Sequence, residues 1–445
     1  MSSGHLFHKW GAGVGPDLPR IERAYDEFLV TDEGEELIDA AAGAAVANLG
    51  HSVPGVPEVM AEQAGRVSYV STSHFTHAET EALADRLAGL GPGDLDAAFL
   101  VGSGSEANEA AFKLAHAYHR SRGASTKHKI VSRWQAYHGS TLGALAASGN
   151  TTRRVPFDAM LPDWPHVGPA YPYRWGYEGT PEEQARAAAR ELETTVRQEG
   201  PETVAAFVAE PVGGASIPAA RPHRAYYEEV RRICDEYDVL FIADEVMTGF
   251  GRTGAMFAVE RYDVVPDLLV VGKGLSAGYA PISAVLVRDR VAEPFRAGGA
   301  GSFPHGHTYA GNPVAAAVAG HVVERYTPDL LATARARGET IRAELGPLED
   351  HPMVGEVRHV GAMLGVEFVA GEGKEPFDPD LGVYHRVYEA AMERGVYTYP
   401  GRGSVDGVAG DHLLLAPPLN VSEASAERIG RVVVESVEDV AEDVL

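Results

Sequence analysis

The chain has 445 residues, of which 45% are hydrophobic and 23% charged, and its formal net charge is −25. This acidic balance argues against nucleic acid as a partner, because phosphate backbones bind basic surfaces. No apolar run approaches the length of about 18 residues that a membrane helix needs, and the amino terminus lacks the pattern of a secretory signal. The single cysteine, Cys234, excludes a disulfide framework. These features predict a cytoplasmic protein without a membrane segment.

Apolar runs alternate with helical stretches along most of the chain. Residues 20–50 predict a short, strand-rich opening segment with a turn at Asp32 to Gly34. The strands predicted further on cover residues 96–103, 128–133, 203–210, 239–244, 267–272 and 281–289. Helices between such strands, as predicted over 182–198, indicate an α/β fold with a mainly parallel sheet covered on both faces.

The pattern changes near residue 326. The elements predicted beyond it are a helix, an alternating strand over 361–369, a second helix and a strand near 412–419, which is typical of a smaller α+β domain. We therefore expect an N-terminal segment that joins the small domain, a large domain and a C-terminal small domain, covering residues 1–60, 61–325 and 326–445.

Three ionisable residues, Glu210, Asp244 and Lys273, come at the ends of three apolar strands. Ligands of open α/β sheets bind beyond the carboxyl ends of the strands, so we expect these side chains to share one edge. Lys273 lies between two glycines, where desolvation would lower its pKa and make the amine nucleophilic. Pyridoxal phosphate requires such a lysine, which forms an imine with it, and an aspartate that keeps its pyridine nitrogen protonated. Alone, Lys273 would more often be a surface-loop residue; Asp244 favours the cofactor.

The loop at 102–106 follows a strand and opens a helix. Its glycines let the backbone approach a ligand, and the free amides of the helix start form an anion site. The same residues fit a structural turn capped by Ser103 or Ser105, and the two interpretations are compatible. Beside Lys273, this loop is predicted to bind the cofactor phosphate. Tyr137 follows another strand, where its ring could stack on the cofactor or be a buried structural residue.

Two other kinds of site find weaker support in the sequence. The histidine-rich segment 305–313 lacks the ligand spacing of a zinc site, so no metal is expected. The segment GFGRTG (249–254) fits the dinucleotide-binding pattern, but the predicted strand ends at Asp244, before the first glycine, and a poor helix start follows. A nicotinamide-dependent oxidoreductase is therefore a distant alternative.

Seven motifs occur in the order and spacing that resemble the class III aminotransferases: GSGSEANEAA, AYHGST, AEPV, DEVMTGFGRTG, GKGLSAGYAPISAV, HTYAGNP and APPL. The resemblance covers nearly the whole chain. It implies a pyridoxal 5'-phosphate enzyme of fold type I, the aspartate aminotransferase-like fold. The GDH sequence at 410–412 is most similar to the amine:pyruvate group.

The resemblance implies a role for each residue around the cofactor ring. Lys273 would carry the cofactor as an imine and shuttle a proton during catalysis. Asp244 would pair with the pyridine nitrogen. Val246 and Tyr137 would pack on opposite faces of the ring, and His138 would lie beside Tyr137.

The same resemblance implies how the phosphate and the substrate would be held. The backbone amides of Gly104 and Ser105 would bind the phosphate, joined by Thr308 from the partner subunit. That role for Thr308 implies a homodimer, or a dimer of dimers, with shared active sites. Glu210 would lie near the substrate.

Departures from the family pattern concern the substrate carboxylate. Aminotransferases of the ornithine and 4-aminobutyrate groups resemble one another in having a glutamine and an arginine at two particular positions. In this sequence the same positions hold Met247 and Leu414. The mobile arginine of the amine:pyruvate group would fall on Gly407. The nearest replacement is Arg402, in a glycine-containing loop that could swing, so Arg402 is predicted to bind the carboxylate of the acceptor.

The sequence thus predicts an aminotransferase that moves an amino group from an amine or ω-amino acid to a 2-oxo acid, with pyruvate as the favoured acceptor. The two half-reactions would alternate in a ping-pong mechanism. An aminomutase, a racemase or a decarboxylating transaminase of the same fold would have the same constellation, and these remain alternatives.

Overall fold

The computed structural model describes residues 5–8, 13–14, 18–296, 299, 301–371 and 373–445. The strands are β1 Phe7–His8, β2 Gly13–Val14, β3 Ile21–Tyr25, β4 Phe28–Thr31, β5 Glu36–Asp39, β6 Ala97–Val101, β7 Lys129–Arg133, β8 His166–Val167, β9 Val204–Ala209, β10 Leu240–Asp244, β11 Leu268–Val271, β12 Ser283–Val287, β13 Val354–Val360, β14 Met363–Phe368, β15 Val396–Tyr397, β16 Tyr399–Arg402 and β17 Asp411–Leu415. The α-helices are α1 Ala42–Ala45, α2 Val56–Arg66, α3 Ala78–Leu90, α4 Gly104–Ser121, α5 Leu142–Ala147, α6 Thr151–Arg154, α7 Pro181–Glu199, α8 Ala225–Glu236, α9 Asp289–Ala292, α10 Pro313–Val323, α11 Pro328–Glu344, α12 Val383–Glu393 and α13 Glu423–Val444.

The central sheet has seven strands in the order β6-β12-β11-β10-β9-β7-β8. Strand β12 runs antiparallel to both neighbours, and the pairs from β11 to β8 are parallel. Each of the six strands predicted between residues 96 and 289 forms part of this sheet. The predicted α/β fold with a mainly parallel sheet is therefore confirmed.

Burial on both faces explains why the central strands are continuously apolar. Strands β9, β10 and β11 are buried at every residue. Successive side chains point to opposite faces: Phe207 and Phe241 pack in one core cluster, whereas Val208 and Ile242 pack in another. Helix α4 contributes to the second cluster, and α7 and α8 contribute to the first. The chemistry-bearing residues are left at the strand ends.

The two smaller sheets join the beginning and the end of the chain. Strands β13, β14, β17 and β16 form an antiparallel sheet, and β3, β4, β5 and β15 form another. In the second sheet Ile38 of β5 pairs with Val396 of β15, in parallel. The sequence did not predict β13, because charged Glu356 and Arg358 interrupt its apolar pattern. The predicted domain boundaries stay a prediction.

Arg252, inside the glycine-rich segment 249–254, is fully buried and connects distant parts of the chain. Its guanidinium donates to the carbonyl oxygens of Ala362 (3.2 Å) and Pro417 (2.5 Å) and to Asn48 Oδ1 (2.8 Å). Asn48 in turn donates to the carbonyl of Phe250. The segment thus forms turns around a structural arginine, not the strand-to-helix loop that a dinucleotide site would need.

We expect Arg252→Met to lower the free energy of unfolding by roughly 3 kcal/mol or more, because it leaves three buried acceptors without a donor. Urea denaturation followed by circular dichroism measures the change. Arg431→Met is the control: Arg431 is about half exposed and lies 3.7 Å from Glu427, so its loss should cost no more than about 0.5 kcal/mol. Equal losses in the two variants would contradict the anchoring role.

Two kinds of feature are absent from the residues that the structure describes. No helix in this part of the chain combines the length and the apolar character needed to cross a bilayer. The same residues contain no group of three or more His, Cys, Asp or Glu side chains arranged to hold a metal ion.

Candidate active site

A cavity of about 400 Å³ lies at the carboxyl ends of β9, β10 and β11, and is called here the inner cavity. It brings together eight of the residues predicted from the sequence: Gly104, Ser105, Tyr137, His138, Glu210, Asp244, Val246 and Lys273. These residues come from five separate stretches of the chain. The parallel strands explain their convergence, because strand ends of one direction meet at one edge of the sheet.

Lys273 follows β11 and begins a short 3-10 turn with a positive φ of 45°. Burial lowers the pKa of the Lys273 ammonium to about 8, although the Asp244 and Glu210 carboxylates act in the opposite direction. The positive charges of Arg252 and Arg153 add to the lowering. At pH 7 about a tenth of the amine is therefore neutral and nucleophilic.

This pKa predicts how the cofactor-free protein reacts with pyridoxal phosphate. We expect the rate of attachment at Lys273 to rise about tenfold per pH unit below pH 8, since only the neutral amine reacts, and to level off above it. Stopped-flow absorbance measures the rate. Nα-acetyllysine is the reference. Its side-chain amine has an ordinary pKa of about 10.4, so its reaction rate should keep rising past pH 8. If the reaction rates of the protein and of the reference depended on pH in the same way, the lowered pKa of Lys273 would be contradicted.

Asp244 ends β10 and is held by three donors. His138 Nδ1 lies 2.7 Å and Asn108 Nδ2 2.9 Å from Oδ2, and the backbone amide of Val246 donates to Oδ1 at 3.1 Å. The carboxylate is buried, so these hydrogen bonds hold an anion in place and fix its orientation. Such a fixed anion can stabilise a protonated ring nitrogen.

Asn108 is a contributor that the sequence analysis missed. Its amide also donates to the backbone carbonyl of His138 at 2.8 Å. Asn108 therefore links His138, which follows β7, to Asp244, which ends β10. Asn108 lies one helical turn after Gly104 on α4, and the i, i+4 spacing would have placed both on one face of the helix. His138 Nε2 is buried and has no hydrogen-bond partner among the described residues.

The start of α4 has backbone amides that can bind an anion. Ser103 caps the helix by accepting from Glu106 N, and the first backbone bond within the helix runs from Ala107 N to the carbonyl of Ser103. The amides of Gly104 and Ser105 precede that bond and line the inner cavity. A side chain at Gly104 would meet Val246 at 2.9 Å, so glycine allows the two loops to approach each other. The structural cap and the anion site thus coexist.

Tyr137 and Glu210 form another wall of the cavity. The backbone amide of Tyr137 donates to Glu210 Oε2 at 3.3 Å, and that of Gly214 donates to Oε1 at 3.1 Å. Burial raises the pKa of the Glu210 carboxyl. The guanidinium of Arg153 lies over the Tyr137 ring, with its carbon 4.6 Å from the ring centroid.

Two predicted residues lie outside the inner cavity. Thr308 lines a separate cavity of about 790 Å³ together with His305 and His307. Arg402 is the last residue of β16, in register with Asp411 of β17, so the loop predicted at Arg402 is wrong. Arg402 is exposed and lines a further cavity of about 910 Å³, called here the outer cavity.

Pyridoxal phosphate fits the groups that the structure brings together. The inner cavity offers an amine, an opposed buried carboxylate and free helix-start amides, which match the aldehyde, the ring nitrogen and the phosphate of that cofactor. With the mainly parallel sheet, they define an enzyme of fold type I.

Comparisons with known proteins specify the family. The family model for class III aminotransferases matches residues 12–435. The uncharacterized aminotransferase YodT of Bacillus subtilis is 38% identical, with 95% of this chain and 97% of the relative covered. Putrescine–pyruvate aminotransferase of Pseudomonas aeruginosa is 32% identical, over 92% and 88% of the two chains. The omega transaminase of Pseudomonas jessenii, solved in complex with PMP, has a TM-score of 0.89 at 33% identity, over 96% and 94%.

The chain belongs to the class III aminotransferase family, and its members depend on pyridoxal phosphate. It is therefore an enzyme, a pyridoxal-phosphate-dependent aminotransferase. The predicted family and fold type are confirmed.

Proposed function

We propose that this aminotransferase moves an amino group from an amine or ω-amino acid to a 2-oxo acid, with pyruvate as acceptor, in two alternating half-reactions. The observation that carries the proposal is the inner cavity, in which the activated amine of Lys273 lies with the fixed carboxylate of Asp244 and the anion site of α4. The putrescine–pyruvate relative supports the choice of donor and acceptor.

Each of the predicted site residues has a task in this proposal. When bound, pyridoxal phosphate supplies the electron sink for breaking the bond to the substrate proton. Lys273 Nζ accepts that proton from the substrate carbon and later delivers it. Asp244 would keep the ring nitrogen of the cofactor protonated, and His138 and Asn108 hold Asp244 in place.

The remaining residues bind and orient. The amides of Gly104 and Ser105 would hold the cofactor phosphate, and Tyr137 and Val246 would pack against the cofactor ring. Glu210 would lie beside the substrate, and burial raises the pKa of its carboxyl. Arg402 binds the carboxylate of the acceptor.

The reaction type is tested with a panel of primary amines and ω-amino acids, with and without pyruvate. Transamination predicts that carbonyl product beyond one equivalent per active site, and an equal amount of alanine, form only when pyruvate is present. An isomerised or racemised product without acceptor would show an aminomutase or a racemase, and carbon dioxide release would show a decarboxylating transaminase.

We also propose that two copies of the chain share their active sites, with Thr308 of one subunit binding the cofactor phosphate of the other. Thr308 lies in a cavity apart from the inner cavity of its own chain, which leaves it available to a partner. An interface that completes two active sites should exceed about 2,000 Å² in total. We expect sedimentation equilibrium to show a dimer at nanomolar concentration; a fully active monomer would contradict it. A location in the cytoplasm stays a prediction.

A further inference from the structure

The outer cavity adjoins the inner cavity through two contacts. Ala215 lines both cavities. Tyr137 of the inner cavity lies directly under the guanidinium of Arg153, which lines the outer one. The two cavities are therefore neighbours, and a substrate whose amino end reaches Lys273 can extend its other end towards the outer cavity.

The lining of the outer cavity combines positive charge with aromatic surface. Its described lining residues include two arginines, Arg153 and Arg402, and no carboxylate. Phe157, Tyr384 and Tyr399 supply aromatic surface. Such a cavity suits a substrate that has an apolar chain and ends in an anion, because the anion loses less solvation free energy beside a guanidinium.

The two arginines differ in their position relative to Lys273. Arg153 belongs to α6, whose cap residue Asn150 accepts from the Arg153 amide, and it stacks on a ring of the inner cavity. The loop after β16 closes on the same helix, since a side chain at Gly407 would overlap Thr151. Arg402 is exposed at the end of its strand. Arg153 is thus the cation at the boundary of the two cavities.

We propose that the outer cavity holds the part of the donor that lies away from its amino group, and that Arg153 binds a carboxylate there. The substrates in question are ω-amino acids, in which a carbon chain separates amine and carboxylate. The proposal rests on the transamination proposed above and adds the residue that selects the donor.

The position over an aromatic ring explains why an arginine serves this purpose. A guanidinium carries several N–H donors in one plane, and it can bind a carboxylate while its carbon lies over an aromatic ring. The ring beneath it belongs to Tyr137, so the same contact ties the position of the substrate carboxylate to the wall of the inner cavity.

The test compares donors that differ only in the carboxylate. Straight-chain ω-amino acids with about three to six carbons and the alkylamines of equal length react with the holoenzyme while absorbance reports the first half-reaction. In Arg153→Met, which keeps an apolar contact with Tyr137, we expect kcat/KM for the best ω-amino acid to fall at least about 30-fold. The matching alkylamine should change at most about threefold, and Arg153→Lys should recover part of the loss.

Arg154→Met is the matched control, since the neighbouring Arg154 pairs with Asp158 and lies over the Trp134 ring. Three outcomes would overturn the proposal: equal losses for both donors, which would mean that Arg153 only supports Tyr137; the selective loss in Arg402→Met and not in Arg153→Met; or a wild-type enzyme indifferent to the donor carboxylate. If the wild type reacts with neither donor class, the proposed transamination itself fails, which is a different result.

Discussion

Replacing Lys273 with alanine should lower turnover by at least about 10,000-fold and abolish covalent attachment of pyridoxal phosphate. In the proposed mechanism one side chain performs both tasks: its neutral amine attaches the cofactor, and Nζ moves the proton in each half-reaction. Both can be measured separately. Turnover is measured as alanine formation. Attachment is measured by borohydride reduction, digestion and mass spectrometry, which in the wild type should locate the cofactor label on the peptide that contains Lys273.

The matched control is Lys129→Ala. Lys129 begins β7 and pairs with Glu199 at 2.8 Å, outside the inner cavity. This variant should keep the label and a turnover within about threefold of the wild type. A label that persists in Lys273→Ala would mean that another lysine carries the cofactor, and the assignment of the inner cavity would then be wrong.

Asp244→Asn should bind the cofactor but slow the first half-reaction by about 100- to 1,000-fold, because the ring nitrogen loses the anion that keeps it protonated. The amide keeps the shape of the carboxylate, so the hydrogen bonds from His138 and Asn108 can largely persist. Stopped-flow absorbance measures the rate, and equilibrium dialysis measures cofactor binding.

Glu245→Gln tests whether any buried carboxylate next to the site would give the same loss. Glu245 accepts from the amides of Ala258 and Val259 and from Thr248, and burial raises the pKa of this carboxyl to about 7. We expect this variant to lose stability while its half-reaction stays within about threefold of the wild type. An unchanged rate in Asp244→Asn would show that Asp244 has only a structural role.

Strand ends were the most predictable part of the molecule. Lys273 and Asp244 follow continuously apolar runs, and such runs identify buried parallel strands from the sequence alone. Parallel strands share an edge, so the convergence of these two residues followed from the pattern without coordinates.

Residues that act through side-chain packing were not predictable in the same way. Arg153 and Arg154 are consecutive, and only the orientation of α6 decides that Arg153 faces Tyr137 while Arg154 faces Trp134. Arg402 was expected in a loop, but cross-strand pairing with Asp411 overrides the local effect of its glycine neighbours.

The three acceptors of Arg252 lie far from it along the chain, and this constrains the order in which the chain can fold. Asn48 lies 204 residues before it, and Ala362 and Pro417 lie 110 and 165 residues after it. During synthesis from the amino terminus, this set is incomplete until residue 417 has emerged from the ribosome, although β9, β10 and β11 are already available. Contacts of such long sequence separation also form slowly. Newly made chains therefore pass through a stage in which the strands of the central sheet have been made and Arg252 still lacks the acceptor at Pro417.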